Sequence, residues 1–239
     1  MERYIALVSA AADFVPSLRE RFDVILLPPY GKLQTPVASH PDMLIFAVGN
    51  TLIAPRDYVS ENSAIFRKAE RMGKLRVVGG TCGLRSEYPF DIAYNVLVCG
   101  DAALSLRAHT APEILSELMA RGIRHIDVRQ GYAACSSLVV NGGMVTADPS
   151  VADAADAVGI DVLRISPGGI RLDGYGCGFI GGASAVLGNE VYFFGDPLLH
   201  PDGEVILGFI ERHGASAVKL GGGGLCDFGG IRFIRISDD

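Results

Sequence analysis

Apolar residues recur along this chain as short runs alternating with amphipathic stretches. Four of those stretches end on a glycine, the residue that takes the left-handed conformation closing a helix without steric cost. The stretch from Ser60 through Ile65, Phe66, Ala69 and Met72 stops at Gly73. Thr110-Ala-Pro-Glu113 reads as a capping box opening a helix that stops at Gly122. Asp148-Pro149 caps a third, ending at Gly159. His200-Pro201 opens a fourth, which carries Val205, Ile206, Phe209 and Ile210 on one face and ends at Gly214.

A short apolar strand follows each stop: LRVV from position 75, IRHIDV from 123, IDVLRI from 160 and SAVKL from 216. Two further strands precede each helix. SSLVV, the turn Asn141-Gly142-Gly143 and MVTA make the plainest hairpin. The same order reads in MLIFAV and NTLIAP, in NVLVCG and AALSLR, and in ASAVLG and NEVYFF. The repeating unit is therefore strand, strand, helix, strand.

A fifth copy closes only across the chain ends. GGIRFIRIS supplies its first strand, RYIALVS its second, residues 14–22 its helix and DVILL its last strand. The units run approximately over 40–78, 91–129, 133–165, 177–220, and 225–239 together with 1–27. The two termini are thus expected to pair within one unit, which removes an exposed sheet edge. Gly178-Phe-Ile-Gly-Gly182 before ASAVLG resembles Cys226-Asp-Phe-Gly-Gly230 before IRFIRIS, at the same point of two units. An ordinary open α/β sheet also alternates strands and helices. The paired strands ahead of each helix favour a single α/β domain over 1–239, built as a five-unit propeller.

At 239 residues and 49% hydrophobic, the chain can bury a large core. A net charge of −6, with no run of Lys or Arg, offers no electrostatic footprint for nucleic acid or an anionic membrane. MERYIALVSAAADF lacks the basic start of a signal peptide, and no run of about 18 apolar residues predicts a membrane span. Cysteines at 82, 99, 135, 177 and 226 form no Cys-x-x-Cys pair, which suits a reducing cytoplasm and predicts no zinc site. No cofactor is expected. Val78-Gly-Gly-Thr-Cys-Gly83 lacks dinucleotide-binding glycine spacing, and the run Gly221–Gly224 lacks the lysine and hydroxyl of a P-loop. The 30 glycines imply many tight turns or close backbone approaches.

Five such units resemble the pentein fold, shared by guanidino-group-modifying enzymes and by the ribosomal anti-association factor of archaea and eukaryotes. The strings HPDM, YPFDIAYN, GYAACS and GYGCGFIGG are similar to an uncharacterised bacterial family assigned to that fold. The enzyme resemblance implies a nucleophilic cysteine in the last repeat after a glycine-rich run. Leu220-Gly-Gly-Gly-Gly-Leu-Cys226 is similar in both respects, and successive backbone N–H groups there can stabilise a thiolate. The bland reading of Cys226 is a small buried thiol after a flexible turn.

Those enzymes also use a histidine near an acid. His40-Pro-Asp42 fits that chemistry, although the enzyme pattern puts the histidine in a later repeat, where this chain has Cys177-Gly-Phe-Ile-Gly-Gly. His125-Ile-Asp127 lies on a strand after a helix and reads as surface or packing. Carboxylates grip a planar guanidinium through paired hydrogen bonds, and Asp42, Asp91 and Asp227 all fall at repeat entrances. Tyr94, Asn95, Tyr132, Cys135 and Ser136 occupy similar positions, and Lys32 offers a charge for an anionic group. Turn capping explains any one of these alone.

Two functions are open from sequence. One is a hydrolase or amidinotransferase in which Cys226 attacks an amidine or guanidine carbon while Asp42 and Asp91 orient its N–H groups and His40 protonates the leaving amine. The other is a non-catalytic protein presenting a central pocket to a small ligand or a protein partner.

Overall fold

The computed structural model describes residues 2–237. Met1, Asp238 and Asp239, which the fifth unit includes, lie outside the described residues.

Five three-stranded sheets carry the same connectivity, an antiparallel pair whose second strand also pairs in parallel with a third. They are Phe46–Val48, Thr51–Pro55 and Arg76–Gly80; Leu97–Cys99, Ala102–Ser105 and Arg124–Asp127; Ser137–Val140, Gly143–Thr146 and Asp161–Arg164; and Ser184–Leu187, Glu190–Phe193 and Ser216–Lys219. The last joins the two chain ends: Arg232–Arg235 runs antiparallel to Tyr4–Ser9, with Ile5 opposite Ile234, and Tyr4–Ser9 runs parallel to Asp23–Leu27. A separate two-residue parallel ladder pairs Ile170–Arg171 with Leu225–Cys226.

Parallel neighbours need a crossover, and a helix provides it in every unit. Arg56–Glu61 and Ser63–Gly73 serve the first sheet, Pro112–Ala120 the second, Pro149–Asp156 the third, Gly203–Arg212 the fourth and Val15–Arg19 the fifth. Four of the antiparallel pairs close on two-residue turns. Gly49, Gly100, Asn141 and Gly188 each occupy the first turn position with φ between 43° and 59°.

Most helix ends follow the sequence signals. Gly122, Gly159 and Gly214 have φ of 70°, 83° and 70°, and Asp148 Oδ1 accepts the Val151 N–H at 2.9 Å. Gly73 differs: the left-handed residue is Lys74, at φ 46°. Glycine is needed at 73 for closeness, because a Cβ there would lie 2.5 Å from Ile234 Cγ2 of the C-terminal strand. The expected capping box is not formed either. The Thr110 hydroxyl bonds to the Leu106 carbonyl and to Ser105 Oγ, while Glu113 accepts the Thr81 N–H of the neighbouring unit.

The middle strand of each sheet is the most deeply buried, and Thr51–Pro55, Ala102–Ser105 and Gly143–Thr146 are buried throughout. Core clusters join successive units. One packs Ile5, Leu27 and Ile234 with Phe46, Phe66, Ile114 and Leu118. Others join Leu104 to Met144 and Val151, Leu138 to Val191 and Phe209, and Tyr192 and Phe194 to Ala6 and Phe14. A cavity of about 220 Å³ is lined by Ala47, Val98, Val139, Val186 and Arg232, one residue from the first strand of each sheet. Among the described residues no helix is long and apolar enough to cross a membrane.

Candidate functional site

The loops leading into those first strands meet around a second cavity, of about 280 Å³. His40 and Met43 precede the first sheet, Asp91 the second, Tyr132 and Cys135 the third, Phe179 the fourth and Asp227 the fifth. Segment 172–177 contributes Leu172, Tyr175 and Cys177.

Asp227 is held in a cradle of backbone. Its Oδ2 accepts the Phe179 N–H at 2.9 Å and its Oδ1 the Gly229 N–H at 3.0 Å. Only glycine leaves room for it, since a Cβ on Gly182 would lie 2.0 Å from Oδ1 and one on Gly178 2.5 Å from the Asp227 Cβ. The likeness between GFIGG and DFGG has a structural counterpart, because the two segments bond to each other. Phe228 N–H and Gly230 N–H donate to the Gly182 carbonyl at 3.0 and 2.9 Å.

His40 Nδ1 lies 3.6 Å from Asp227 Oδ1, with both side chains 3% exposed. Gly229, at φ 75°, permits this approach, as a Cβ on it would meet the His40 Cβ at 2.4 Å. Burial lowers the His40 pKa and favours the neutral imidazole. Burial, and then the nearby charge of Asp42, push Asp227 up to about 7.

Asp42 lies behind the lining. Neither of its carboxylate oxygens has a hydrogen-bond partner among the described residues, nor does Asp91 Oδ1. Asp91 Oδ2 accepts the Tyr132 hydroxyl at 2.6 Å. Burial raises the Asp91 pKa, and the Tyr132 bond partly offsets it. Asn95, fully buried, ties the floor together: its amide donates to the Asp42 carbonyl at 3.1 Å and to Cys135 Sγ at 2.9 Å, and its carbonyl accepts the Ala134 N–H at 2.8 Å. The Cys135 thiol is raised well above its ordinary pKa by burial and then by Asp42 and Asp227, while Asn95 acts the other way. The half-buried Arg232 is close enough to interact with Asp42 and Cys135, and its Nε donates to the Ile45 carbonyl at 3.1 Å.

Of the candidates named from sequence, His40, Asp91, Tyr132, Cys135 and Asp227 line one cavity, with Asp42 and Asn95 behind them. Others lie elsewhere. Cys226 opens onto a different pocket, among Asp13, Phe14, Ser17 and the glycine run, with its thiol 3.6 Å from the Gly224 carbonyl. Side chains alternate along an extended segment, so Leu225 enters the core, Cys226 points away and Asp227 returns to the cavity. Lys32 is paired with Asp57. Tyr94 donates to the Cys82 carbonyl at 2.8 Å and packs on Gly80. His125 is engaged by Ser105 at 2.8 Å and Arg107 at 3.1 Å, outside the lining. Sequence reasoning missed Tyr175, Cys177 and Phe179 as individual residues, although the string GYGCGFIGG contains all three.

The fold is shared with solved structures. A dimethylarginine dimethylaminohydrolase, captured as an adduct with S-methyl-L-thiocitrulline, matches with a TM-score of 0.57 at 12% identity, covering 99% of this chain and 100% of that one. A second such structure, an adduct with 4-chloro-2-hydroxymethylpyridine, matches with a TM-score of 0.52 at 13% identity and 92% coverage of each. The amidinotransferase SxtG of Microseira wollei, from the saxitoxin biosynthetic pathway, matches with a TM-score of 0.52 at 12% identity, covering 91% of this chain and 74% of that one. At such identities the likeness is one of fold, and it bears out the resemblance to penteins. No curated protein matches in sequence. The chain belongs to a family of unknown function, DUF6873, whose model matches residues 9–232.

Proposed function

We propose that the cavity binds a small guanidino or amidino cation and that the protein acts on it as a hydrolase or transferase through a covalent thiol intermediate. The observation that carries this reading is an excess of buried carboxyl groups. Asp42, Asp91 and Asp227 surround or back the cavity, three of their oxygens lack partners among the described residues, and the half-buried Arg232 interacts with Asp42 from the far side. Buried carboxylates are costly unless paired, and a planar cation with several N–H donors satisfies them together.

Two thiols line the cavity, Cys135 and the exposed Cys177, and we assign the nucleophile's role to Cys135, which lies beside the buried carboxyls, rather than to Cys226, which opens onto a different pocket. The Cys135 sulfur bonds to the amidine carbon and the carbon–nitrogen bond breaks, while the thiol proton passes through His40 to the departing amine. Water then adds to that carbon, the carbon–sulfur bond breaks with a water proton returning to sulfur, and a ureido or amide product leaves. An acceptor amine in place of water gives amidino transfer. Burial first, and then Asp42 and Asp227, hold the thiol neutral, and a bound cation offsets the second of these. The raised pKa of that thiol also favours a second reading, a binding protein that performs no chemistry.

The repeated sheets, the paired termini and the two cavities, each lined from all five units, support a propeller around a pseudo-fivefold axis forming one domain. Five free cysteines support a cytoplasmic setting.

The test is incubation of the full chain with guanidino and amidino compounds, followed by intact-mass and peptide mapping and by assay of released amine. An adduct on Cys135 and loss of turnover in Cys135→Ala are expected. An adduct confined to Cys177 or to Cys226 would sink the assignment of the nucleophile, and binding with no adduct or product would leave the binding-protein reading standing in its place.

A further inference from the structure

Acids and apolar groups line the cavity, but no fixed positive charge does. Asp91 and Asp227 supply carboxyls, and Leu172, Tyr132, Tyr175 and Phe179 supply apolar and aromatic surface. Among the described residues lining it, none is lysine or arginine. Arg232, which interacts with Asp42, donates to the Ile45 carbonyl and lines the other cavity, and Lys32, the cation considered from sequence, is paired with Asp57. His40, the lining group able to take a proton, is deeply buried against the Asp227 carboxyl.

We infer that this cavity selects a guanidino or amidino cation whose remaining part bears no anionic group, so that an alkylguanidine or aminoalkylguanidine is accepted and an α-amino acid carrying the same head is disfavoured. The inference rests on the cation-site reading above and narrows its substrate class. A ligand carboxylate brought among Asp91 and Asp227, with Asp42 behind them, meets like charge and finds no cation to replace its lost water. An alkyl tail instead covers Leu172 and Phe179 and lies along the rings of Tyr132 and Tyr175. At about 280 Å³ the cavity is small for a ligand site, which favours a compact molecule.

Calorimetric titration of the full chain with methylguanidine, agmatine, arginine and arginine methyl ester tests this. These probes share a guanidinium head and differ in the tail, with the ester differing from arginine only in its masked carboxylate. Agmatine and the methyl ester are expected to bind at least about tenfold more tightly than arginine. Tyr175→Lys, at a residue 42% exposed, adds a cation to the rim and is expected to shrink that ratio by improving the affinity for arginine. Arginine binding as tightly as its ester, or an unchanged ratio in Tyr175→Lys, would overturn the inference while leaving the cation site intact. Failure of all four compounds to bind would instead remove the cation-site reading itself.

Discussion

Cys226 and Asp227 are adjacent in the chain and open onto different cavities. The Asp227 carboxyl lies 3.6 Å from His40 Nδ1, whereas the Cys226 thiol rests against the glycine run. An extended backbone turns consecutive side chains in opposite directions, so the Leu225–Cys226 ladder with Ile170–Arg171 determines which of the two reaches the histidine.

Asp227 should make stability fall as pH rises. Its folded pKa lies near 7, above the ordinary carboxylate value, so the native protein keeps a proton that the unfolded chain releases between about pH 4 and pH 7. This contribution is fully present below the unfolded pKa and is lost as pH climbs through the folded one. Asp227→Asn lacks the titration, so wild type's stability relative to the variant should decline from pH 4.5 to pH 7.5 in urea melts. A difference that is flat, or that grows in wild type's favour, would contradict the protonated pairing.

Gly182→Ala should destabilise the protein by at least ~2 kcal/mol, because the new methyl would lie 2.0 Å from Asp227 Oδ1, in a carboxyl group whose two oxygens each accept a backbone N–H. Gly221→Ala, with nothing within 4 Å of its Cβ, should stay within ~0.5 kcal/mol. Equal chemical denaturation midpoints for the two variants would count against the cradle.

Asn95→Ala removes a side chain with three buried partners, the Asp42 carbonyl, the Ala134 N–H and the Cys135 thiol. A loss of roughly 2–3 kcal/mol is expected, measured by equilibrium unfolding. Cys135, screened in the native state, should then react faster with a maleimide. A variant as stable as wild type, with unchanged Cys135 labelling, would show that Asn95 does not organise the floor.

Tyr132→Phe deletes the hydroxyl that donates to Asp91 and leaves that carboxyl with no strong partner. Destabilisation of about 1–2 kcal/mol at neutral pH is expected, diminishing toward acid as Asp91 takes up a proton. Urea melts at pH 5 and pH 8 distinguish this from a pH-independent loss of packing.

Much of the fold was legible because its signals are local. A two-residue turn with its first residue left-handed, and a glycine after an amphipathic run, act within a few residues. Pairing of Ile5 with Ile234 followed from treating the repeat as circular, since no local signal joins the ends. Gly73 misled for the opposite reason, as its requirement comes from Ile234 across the molecule. The meeting of His40, Asp91, Cys135 and Asp227 could be anticipated from their shared place in successive units. The direction of Cys226 could not, because it depends on a short ladder with residues 170–171 that carries no strong strand signature. Tyr175 was hidden likewise: its hydroxyl bonds to Gln34 Oε1 at 3.0 Å, a contact between distant loops.

The central claim, that the buried carboxyls form a cation site, is tested most directly by titrating methylguanidine into wild type, Asp91→Asn and Asp227→Asn from pH 5.5 to pH 8.5. Affinity for wild type should rise with pH through about 7 as Asp227 ionises and then level off, with protons released on binding below that point. Both variants should bind at least about tenfold more weakly, and Asp227→Asn should lose the pH dependence. A cation that fails to bind wild type, or binds all three proteins equally at every pH, would contradict the account.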